Sequence, residues 1–298
     1  MLKVENVTKY YGNLCAVNNL SFEVKDGEIF GLLGLNGAGK TTTFRMIMNL
    51  IDDYTGSITL DGKKIDYSVT DKIGYLTEER SLLLKLTVLD QITYYGVLKG
   101  MPKSLIEEKL DYWLNRFHIT EYKNKKIKEL SKGNQQKIQF ISAIIHEPKL
   151  LILDEPFSGL DPVNVELFKK VILELKAQGT SIIFSSHRME HVELFCEKLL
   201  ILVKGQTVIS GYLKDIKENY KKKNIIIQGN IKPEELKTIP GVLEVTKDNL
   251  EYQVKIEDKK YINSIFKTIS KYNITKFYVE DANLNEIFIS IVGEAYDK

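Results

Sequence analysis

The chain is poor in cysteine, with only Cys15 and Cys196 in 298 residues. They are far apart and fit no metal-ligand spacing. That excludes a disulfide scaffold, and both read as small buried hydrophobes. Long apolar runs are also missing: the longest, such as Leu199–Val203, reach five residues or fewer. A bilayer-spanning helix needs about 20, so no segment here can span a membrane. Met1-Leu2-Lys3-Val4-Glu5 lacks the apolar core of a signal peptide, and the chain is expected to stay in the cytosol. Net charge is small, with 42 basic against 40 acidic side chains. No whole-protein field draws in nucleic acid. Arginine is scarce: 38 of the basic residues are lysine, the exceptions being Arg45, Arg80, Arg116 and Arg188. Base-reading contacts favour arginine, so no nucleic-acid partner is expected. What remains is an ordinary globular balance, 43% apolar and 28% charged, at a length that suits about two domains.

Over the first two-thirds, strand-like apolar runs alternate with helical patterns. Ser21–Val24, the turn Asp26-Gly27 and Glu28–Leu33 read as a hairpin. Leu150–Leu153, Ser181–Ser185 and Leu199–Val203 read as buried strands. A helix starts at Asp161-Pro162, an N-cap followed by proline at the first helical position. Val165, Phe168, Ile172 and Leu175 keep one face of it, and Gly179 ends it. Such alternation predicts a largely parallel sheet covered by helices. Val88 to Lys128 contains no good strand, and a helical insertion is placed over about 88–146.

Composition shifts after Gly211. Residues 214–223 are charged, end in Lys221-Lys222-Lys223, and read as a solvated linker. Beyond it come a strand at Ile225–Ile227, a short helix at Pro233–Lys237, and strands at Val242–Val245 and Leu250–Ile256 across an Asp248-Asn249 turn. Ile262, Ile265, Phe266 and Ile269 fall on one helix face. A last strand at Ile274–Val279 precedes a helix opened by the capping-box pair Asn283 and Glu286. The order β-α-β-β-α-β fits a small α+β ferredoxin-like unit. The predicted division is therefore 1–215 and 216–298.

Gly34-Leu35-Asn36-Gly37-Ala38-Gly39-Lys40-Thr41 follows the strand Glu28–Leu33 and opens a helix through Asn49. A G-x-x-x-x-G-K-[ST] loop in that context binds nucleotide phosphates. Small residues let backbone N–H groups converge on phosphate oxygens, and the helix N-terminus adds favourable partial charge. Asn36, Gly37, Ala38, Gly39, Lys40, Thr41 and Thr42 form the expected contact set. Lys40 would reach the β- and γ-phosphates, and the Thr41 hydroxyl would ligate Mg²⁺. Leu150–Leu153 runs into Asp154 and Glu155. Carboxylates at the C-terminal end of a buried strand lie where open α/β sheets bind ligands. Asp154 can hold the metal through its water shell, and Glu155 can orient or deprotonate an attacking water. His187 follows Ser181–Ser185 at the same sheet edge, within reach of a γ-phosphate. His118, His146 and His191 have no comparable placement.

Leu130-Ser131-Lys132-Gly133-Asn134-Gln135-Gln136 begins a helix through Ile145, just before the acid pair. With it the chain resembles a nucleotide-binding subunit of the ABC transporter superfamily over roughly residues 1–215. The family signature reads L-S-G-G-Q, and here Lys132 and Asn134 replace its second small residue and its glutamine. The resemblance implies an α/β P-loop NTPase with an antiparallel β subdomain and a helical subdomain, binding and hydrolysing ATP with Mg²⁺. It puts Tyr11 on adenine, with Tyr10 beside it as the alternative, and makes His187 the switch histidine. Ser131, Gly133 and Asn134 would serve the nucleotide held by a second subunit. Ser158-Gly159-Leu160-Asp161 matches the loop that follows the acid pair. In Gly74-Tyr75-Leu76-Thr77-Glu78 the family's usual glutamine is replaced by Glu78, whose carboxylate can still ligate Mg²⁺ or order water but adds negative charge near the phosphates.

The same resemblance implies two partners, a second nucleotide-binding subunit and an integral-membrane permease, at the cytoplasmic face of the membrane. Glu78–Leu84 would meet that permease, although Leu82-Leu83-Leu84 fits a core equally well. The tail resembles a C-terminal domain of bacterial export ATPases of the sodium-exporter type, which points to export of an ion, antibiotic or peptide. A soluble regulatory ABC ATPase is the alternative. A P-loop GTPase would want N-K-x-D, and the nearest match, Asn124-Lys125-Lys126-Ile127, lacks the acid.

Overall fold

The computed structural model describes residues 1–296. They form two compact units, Met1–Ser210 and a second from Gly211 onward.

The first unit holds two sheets. Strands β1 (Leu2–Tyr11) and β2 (Leu14–Val24) open the chain, followed by β3 (Ile29–Leu33), β4 (Thr55–Leu60), β5 (Lys63–Lys64) and β6 (Ile73–Leu76). β7 (Leu150–Asp154), β8 (Ser181–Ser185), β9 (Lys198–Val203) and β10 (Gln206–Tyr212) come after a helical stretch. One sheet runs β2-β1-β4-β5 and the other β10-β9-β3-β8-β7-β6. The first is antiparallel. In the second, β3, β6, β7, β8 and β9 are parallel, and every residue of β3, β7 and β8 is buried. Their apolar residues cannot alternate because both faces of this sheet are covered, one of them in part by β1, β2 and β4, whose residues share a core with Phe30, Leu32, Leu150 and Ile152.

The expected hairpin at Asp26-Gly27 does not form. β2 pairs with β1 in the antiparallel sheet, whereas β3 pairs with β8 and β9 in the parallel one. The turn passes the chain between sheets. The reason lies in burial: β3 is apolar on both faces and needs a central position, while β2 alternates exposed and buried residues along its second half.

Helices Val88–Leu98, Lys103–Arg116 and Lys132–Ile144, with short 3-10 turns between the last two, fill the stretch between β6 and β7. Phe117, Phe140 and Phe168 form a closed aromatic triangle with ring centroids 5.0 to 5.9 Å apart. Each such pair adds roughly 0.5–1.5 kcal/mol beyond its buried area. The triangle fixes helix Lys132–Ile144 against helix Pro162–Ala177, which follows the acid pair. Asp161 caps the latter helix, its carboxylate accepting the Asn164 N–H at 2.9 Å.

In the second unit, β11 (Lys223–Gly229), β12 (Val242–Asp248), β13 (Glu251–Ile256) and β14 (Ile274–Asp281) form an antiparallel sheet in the order β12-β13-β11-β14. That is the ferredoxin-like order. Helices Pro233–Lys237 and Ile262–Ile269 supply Leu236, Ile265 and Ile269 to a core shared with Ile225, Ile227, Val254 and Ile256. Asn283 and Glu286 make the reciprocal cap. The charged stretch is not a solvated linker. Leu213–Asn219 is helical, and Lys223 is buried within β11. Its ammonium donates to Asp281 at 2.7 Å and to the Lys217 carbonyl at 3.0 Å. A cation at a helix C-terminus offsets the partial negative charge of its last carbonyls, which is why this lysine is inside.

Candidate functional site

Parallel pairing brings the C-terminal ends of β3, β6, β7 and β8 to one sheet edge. The loop after β3 begins there. Ala38 is buried and closes a turn by donating its N–H to the Leu35 carbonyl at 3.0 Å. Asn36, Gly37 and Thr41 are exposed, and Thr42 is half-buried. Gly39 stands at the start of helix Lys40–Ile47 with φ 109°. A Cβ there would lie 2.6 Å from the Ala16 carbonyl oxygen, so β2 and the loop approach too closely for any other residue. The Lys40 ammonium donates to the Gly34 carbonyl at 2.7 Å. Burial lowers its pKa, and the charges of Asp154, Glu155 and Glu78 oppose that shift.

Asp154 pairs in register with Ser185 across β7 and β8, and the Ser185 hydroxyl donates to its carboxylate at 2.7 Å. Burial raises the Asp154 pKa. The Ser185 bond and Lys40 pull it down, while Glu78 and Glu155 push it further up. Glu155 has φ 50°, a left-handed conformation rarely adopted by a residue of its type. Its backbone N–H donates to the Ser185 carbonyl at 3.1 Å. Its carboxylate accepts the His187 N–H at 2.6 Å and the Ser186 hydroxyl at 3.1 Å. The His187 ring nitrogen Nδ1 lies 3.0 Å from Glu155 Oε2, on a side chain 74% exposed. Glu155 is thus clamped at both oxygens, and His187 presents its ring to solvent beside it.

Lys40, Asp154, Glu155 and Glu78 are therefore one electrostatic group. The donors are hard oxygens: the Thr41 hydroxyl and the Asp154 and Glu78 carboxylates. Among the described residues, no three His, Cys, Asp or Glu side chains form a ready-made metal cage. Mg²⁺ takes one or two carboxylates and keeps waters or phosphates for the rest, and the crowded negative charge around Asp154 suits it.

Ser131, Gly133 and Asn134 form a separate group. The Ser131 hydroxyl accepts the Asn134 N–H at 3.3 Å and caps helix Lys132–Ile144. Their neighbourhood is the loop after the acid pair: a Cβ on Gly133 would lie 3.9 Å from Leu160, and Gln136 donates to the Pro156 carbonyl at 3.1 Å. Tyr10 and Tyr11 are both exposed, so neither is a core aromatic. Only Tyr11 has the Lys9 ammonium over its ring, 4.7 Å from the centroid. Lys9 is 3% exposed and donates to the Asp53 carbonyl at 3.1 Å. Leu83 and Leu84 are exposed by 42% and 50%, a surface and not a core.

Sequence reasoning missed Lys9, Ser185, Ser186 and Gln139. For the two serines the signal was present, as polar residues leading directly into His187. Gln139 is a glutamine in a helix whose neighbouring positions Ile138, Phe140 and Ile141 are buried, and it holds the segment bearing Glu78.

Residues 17–158 match the family model described as ABC transporter, and residues 211–292 match that of the ATP-binding protein DrrA1-3-like, C-terminal domain. The Bacillus subtilis (strain 168) protein YhaQ, described as an uncharacterized ABC transporter ATP-binding protein, is 51% identical over 300 residues and 100% of both chains. The chain belongs to the ABC transporter ATP-binding proteins. The linearmycin resistance ATP-binding protein LnrL of the same strain is 31% identical over 98% of both chains. Among solved structures, the ATP-binding cassette MJ0796, a dimer in a post-hydrolysis state bound to ADP and Pi, has 25% identity and a TM-score of 0.65. The match covers 72% of this chain and 99% of that one. As an ABC transporter subunit, the chain is an ATP-binding component of the ATPase type. No helix among the described residues is long and apolar enough to cross a membrane.

Proposed function

We propose that this chain is the ATP-hydrolysing motor of an ABC exporter. In this reading it works with a second nucleotide-binding subunit, identical or related, on a separate membrane permease at the cytoplasmic face. The cargo is an ion, an antibiotic or a peptide. The observation that carries the hydrolytic part is the clamped Glu155 carboxylate beside His187 and within the field of Lys40.

Tyr11 stacks on adenine, and residues Asn36 to Thr42 take the phosphates on backbone N–H groups. Lys40 gives up its contact with the Gly34 carbonyl for the β- and γ-phosphates. Thr41, Asp154 and Glu78 would hold Mg²⁺, which when bound neutralises phosphate charge. Glu155 accepts a proton from water as that oxygen bonds to the γ-phosphorus. The bond from the γ-phosphorus to the bridging oxygen breaks and ADP leaves. Lys40 and His187 stabilise the charge on the equatorial oxygens. Ser131, Gly133 and Asn134 sit at a helix N-terminus suited to phosphate and close the site of the other subunit. The dimeric MJ0796 cassette supports this pairing. The resistance role in the name of LnrL and the DrrA-like tail support export.

The test is purification of the tagged chain from detergent-solubilised membranes. A membrane protein of several spans should co-elute, and the complex should release phosphate from ATP. Full ATPase activity in a soluble fraction free of any membrane protein would overturn the exporter reading.

A further inference from the structure

Glu78 is exposed on a loop leaving β6, and such a loop needs a support if its side chain is to serve a site. Helix Lys132–Ile144 supplies one. The Gln139 amide Nε2 lies 3.0 Å from the Thr77 carbonyl, 3.0 Å from the Thr77 hydroxyl and 3.1 Å from the Glu79 carbonyl. These acceptors flank Glu78 on both sides. The Thr77 hydroxyl in turn donates to the Glu79 carbonyl at 2.6 Å, closing the turn over Glu78. Farther along, Leu83 donates its N–H to Gln91 at 2.8 Å, so the start and the end of the segment hang on different helices.

Gln139 is 4% exposed, and its Oε1 is buried with no hydrogen-bond partner among the described residues. A leucine would satisfy the surrounding apolar positions without leaving an orphaned oxygen. A buried polar group held by one end only is costly, and the bonds it makes here all go to the backbone and side chain bracketing one carboxylate.

We propose that Gln139 is a positioning residue for Glu78, fixing the turn so that this carboxylate faces the metal of the nucleotide site. The proposal rests on the nucleotide-site reading above. Gln139 also stands on the helix that Ser131 caps. A shift of that helix therefore moves the backbone around Glu78.

The test is Gln139→Leu in the full chain. Partners that orient metal ligands affect metal affinity about 10- to 100-fold. The Mg²⁺ concentration for half-maximal ATP hydrolysis should rise about tenfold, and kcat should fall. ATP affinity measured in EDTA should stay within about twofold, because the phosphate loop is untouched. A purely structural role would lower stability and leave the Mg²⁺ dependence alone. Thr77→Val breaks the same network from the other side, and the double variant should be no worse than the worse single. Parental Mg²⁺ dependence in Gln139→Leu, or multiplicative losses in the double, would overturn the proposal. If the parent chain releases no phosphate from ATP, it is the nucleotide-site reading that fails. If the parent is active and Gln139→Leu keeps its Mg²⁺ dependence, only the role of Gln139 fails.

Discussion

The phosphate loop offers a paired perturbation in which one chemical change meets two different surroundings. Gly37 and Gly39 both have positive φ, 79° and 109°. A methyl group on Gly37 would meet nothing within 4 Å. On Gly39 it would lie 2.6 Å from the Ala16 carbonyl oxygen and 3.3 Å from Val17 Cγ2. Gly37→Ala therefore carries only the backbone cost of a left-handed conformation, roughly 1–2 kcal/mol. Gly39→Ala carries that cost plus overpacking, roughly 1–3 kcal/mol more. The clash is with backbone of β2 at Ala16, whose neighbours Cys15 and Val17 pair with Tyr10 and Lys9 of β1, so it cannot relax by a rotamer change. A unit the size of Met1–Ser210 loses roughly 2–4 °C of Tm per kcal/mol. Gly37→Ala should lower Tm by about 2–8 °C and Gly39→Ala by about 4–20 °C, with the second always the larger. Calorimetry without nucleotide isolates this effect from phosphate binding. Equal shifts, or a larger loss at Gly37, would refute the close approach of loop and strand.

Two further outcomes follow from buried groups. Burial lowers the His146 pKa from 6.5 to about 4, and its Nε2 lies 3.3 Å from the Ile73 carbonyl. The folded state keeps this ring neutral where the unfolded chain protonates it. Stability is therefore whole above pH 6.5 and lost as pH falls towards 4, by about 3 kcal/mol at most. Urea unfolding across that range should show this slope in the parent and a weaker one in His146→Phe; identical slopes would sink the assignment. Lys9→Met removes the cation at the Tyr11 ring, a contact of roughly 0.5–2 kcal/mol. ATP affinity should fall, by no more than the roughly 30-fold that the whole contact is worth, with kcat unchanged. In a Tyr11→Ala background the same change should do nothing, and an undiminished loss there would break the link between the two residues.

The phosphate loop and the acid pair were legible because their chemistry is local. A strand, a small-residue turn and a helix follow one another in the chain, and Asp154 and Glu155 end a run that is apolar throughout. The tail was legible because Tyr252, Val254 and Ile256 alternate along β13 and its helix Ile262–Ile269 keeps one face. Contacts between distant segments were not. Ser185 meets Asp154 through the register of two strands 31 residues apart. Lys9 reaches Asp53 across 44 residues, and Gln139 reaches Thr77 across 62. Nothing in the period of either segment encodes such a meeting. The antiparallel sheet was implied by the family resemblance but was not legible in the residue pattern, for another reason. β1 shifts register between Val4 and Val7 and again before Tyr10, and Asn6 and Asn19 have positive φ. Bulges of this kind break the period of two from which strands are read. The hairpin at Asp26-Gly27 failed because a local turn signal does not say which sheet a strand joins. Lys223 failed because a charge run was read by composition, while its third lysine closes a helix end.

The central claim is that Glu155 activates the water that attacks ATP. The most direct measurement is steady-state phosphate release by Glu155→Gln beside the parent, with ATP affinity measured on the same preparations. The amide keeps the size of the side chain and removes its ability to accept a proton. Loss of a general base costs about 10²- to 10⁴-fold, so the rate should fall at least a hundredfold while ATP affinity stays within about twofold. Phosphate release at the parental rate by a variant that binds ATP normally would contradict the account.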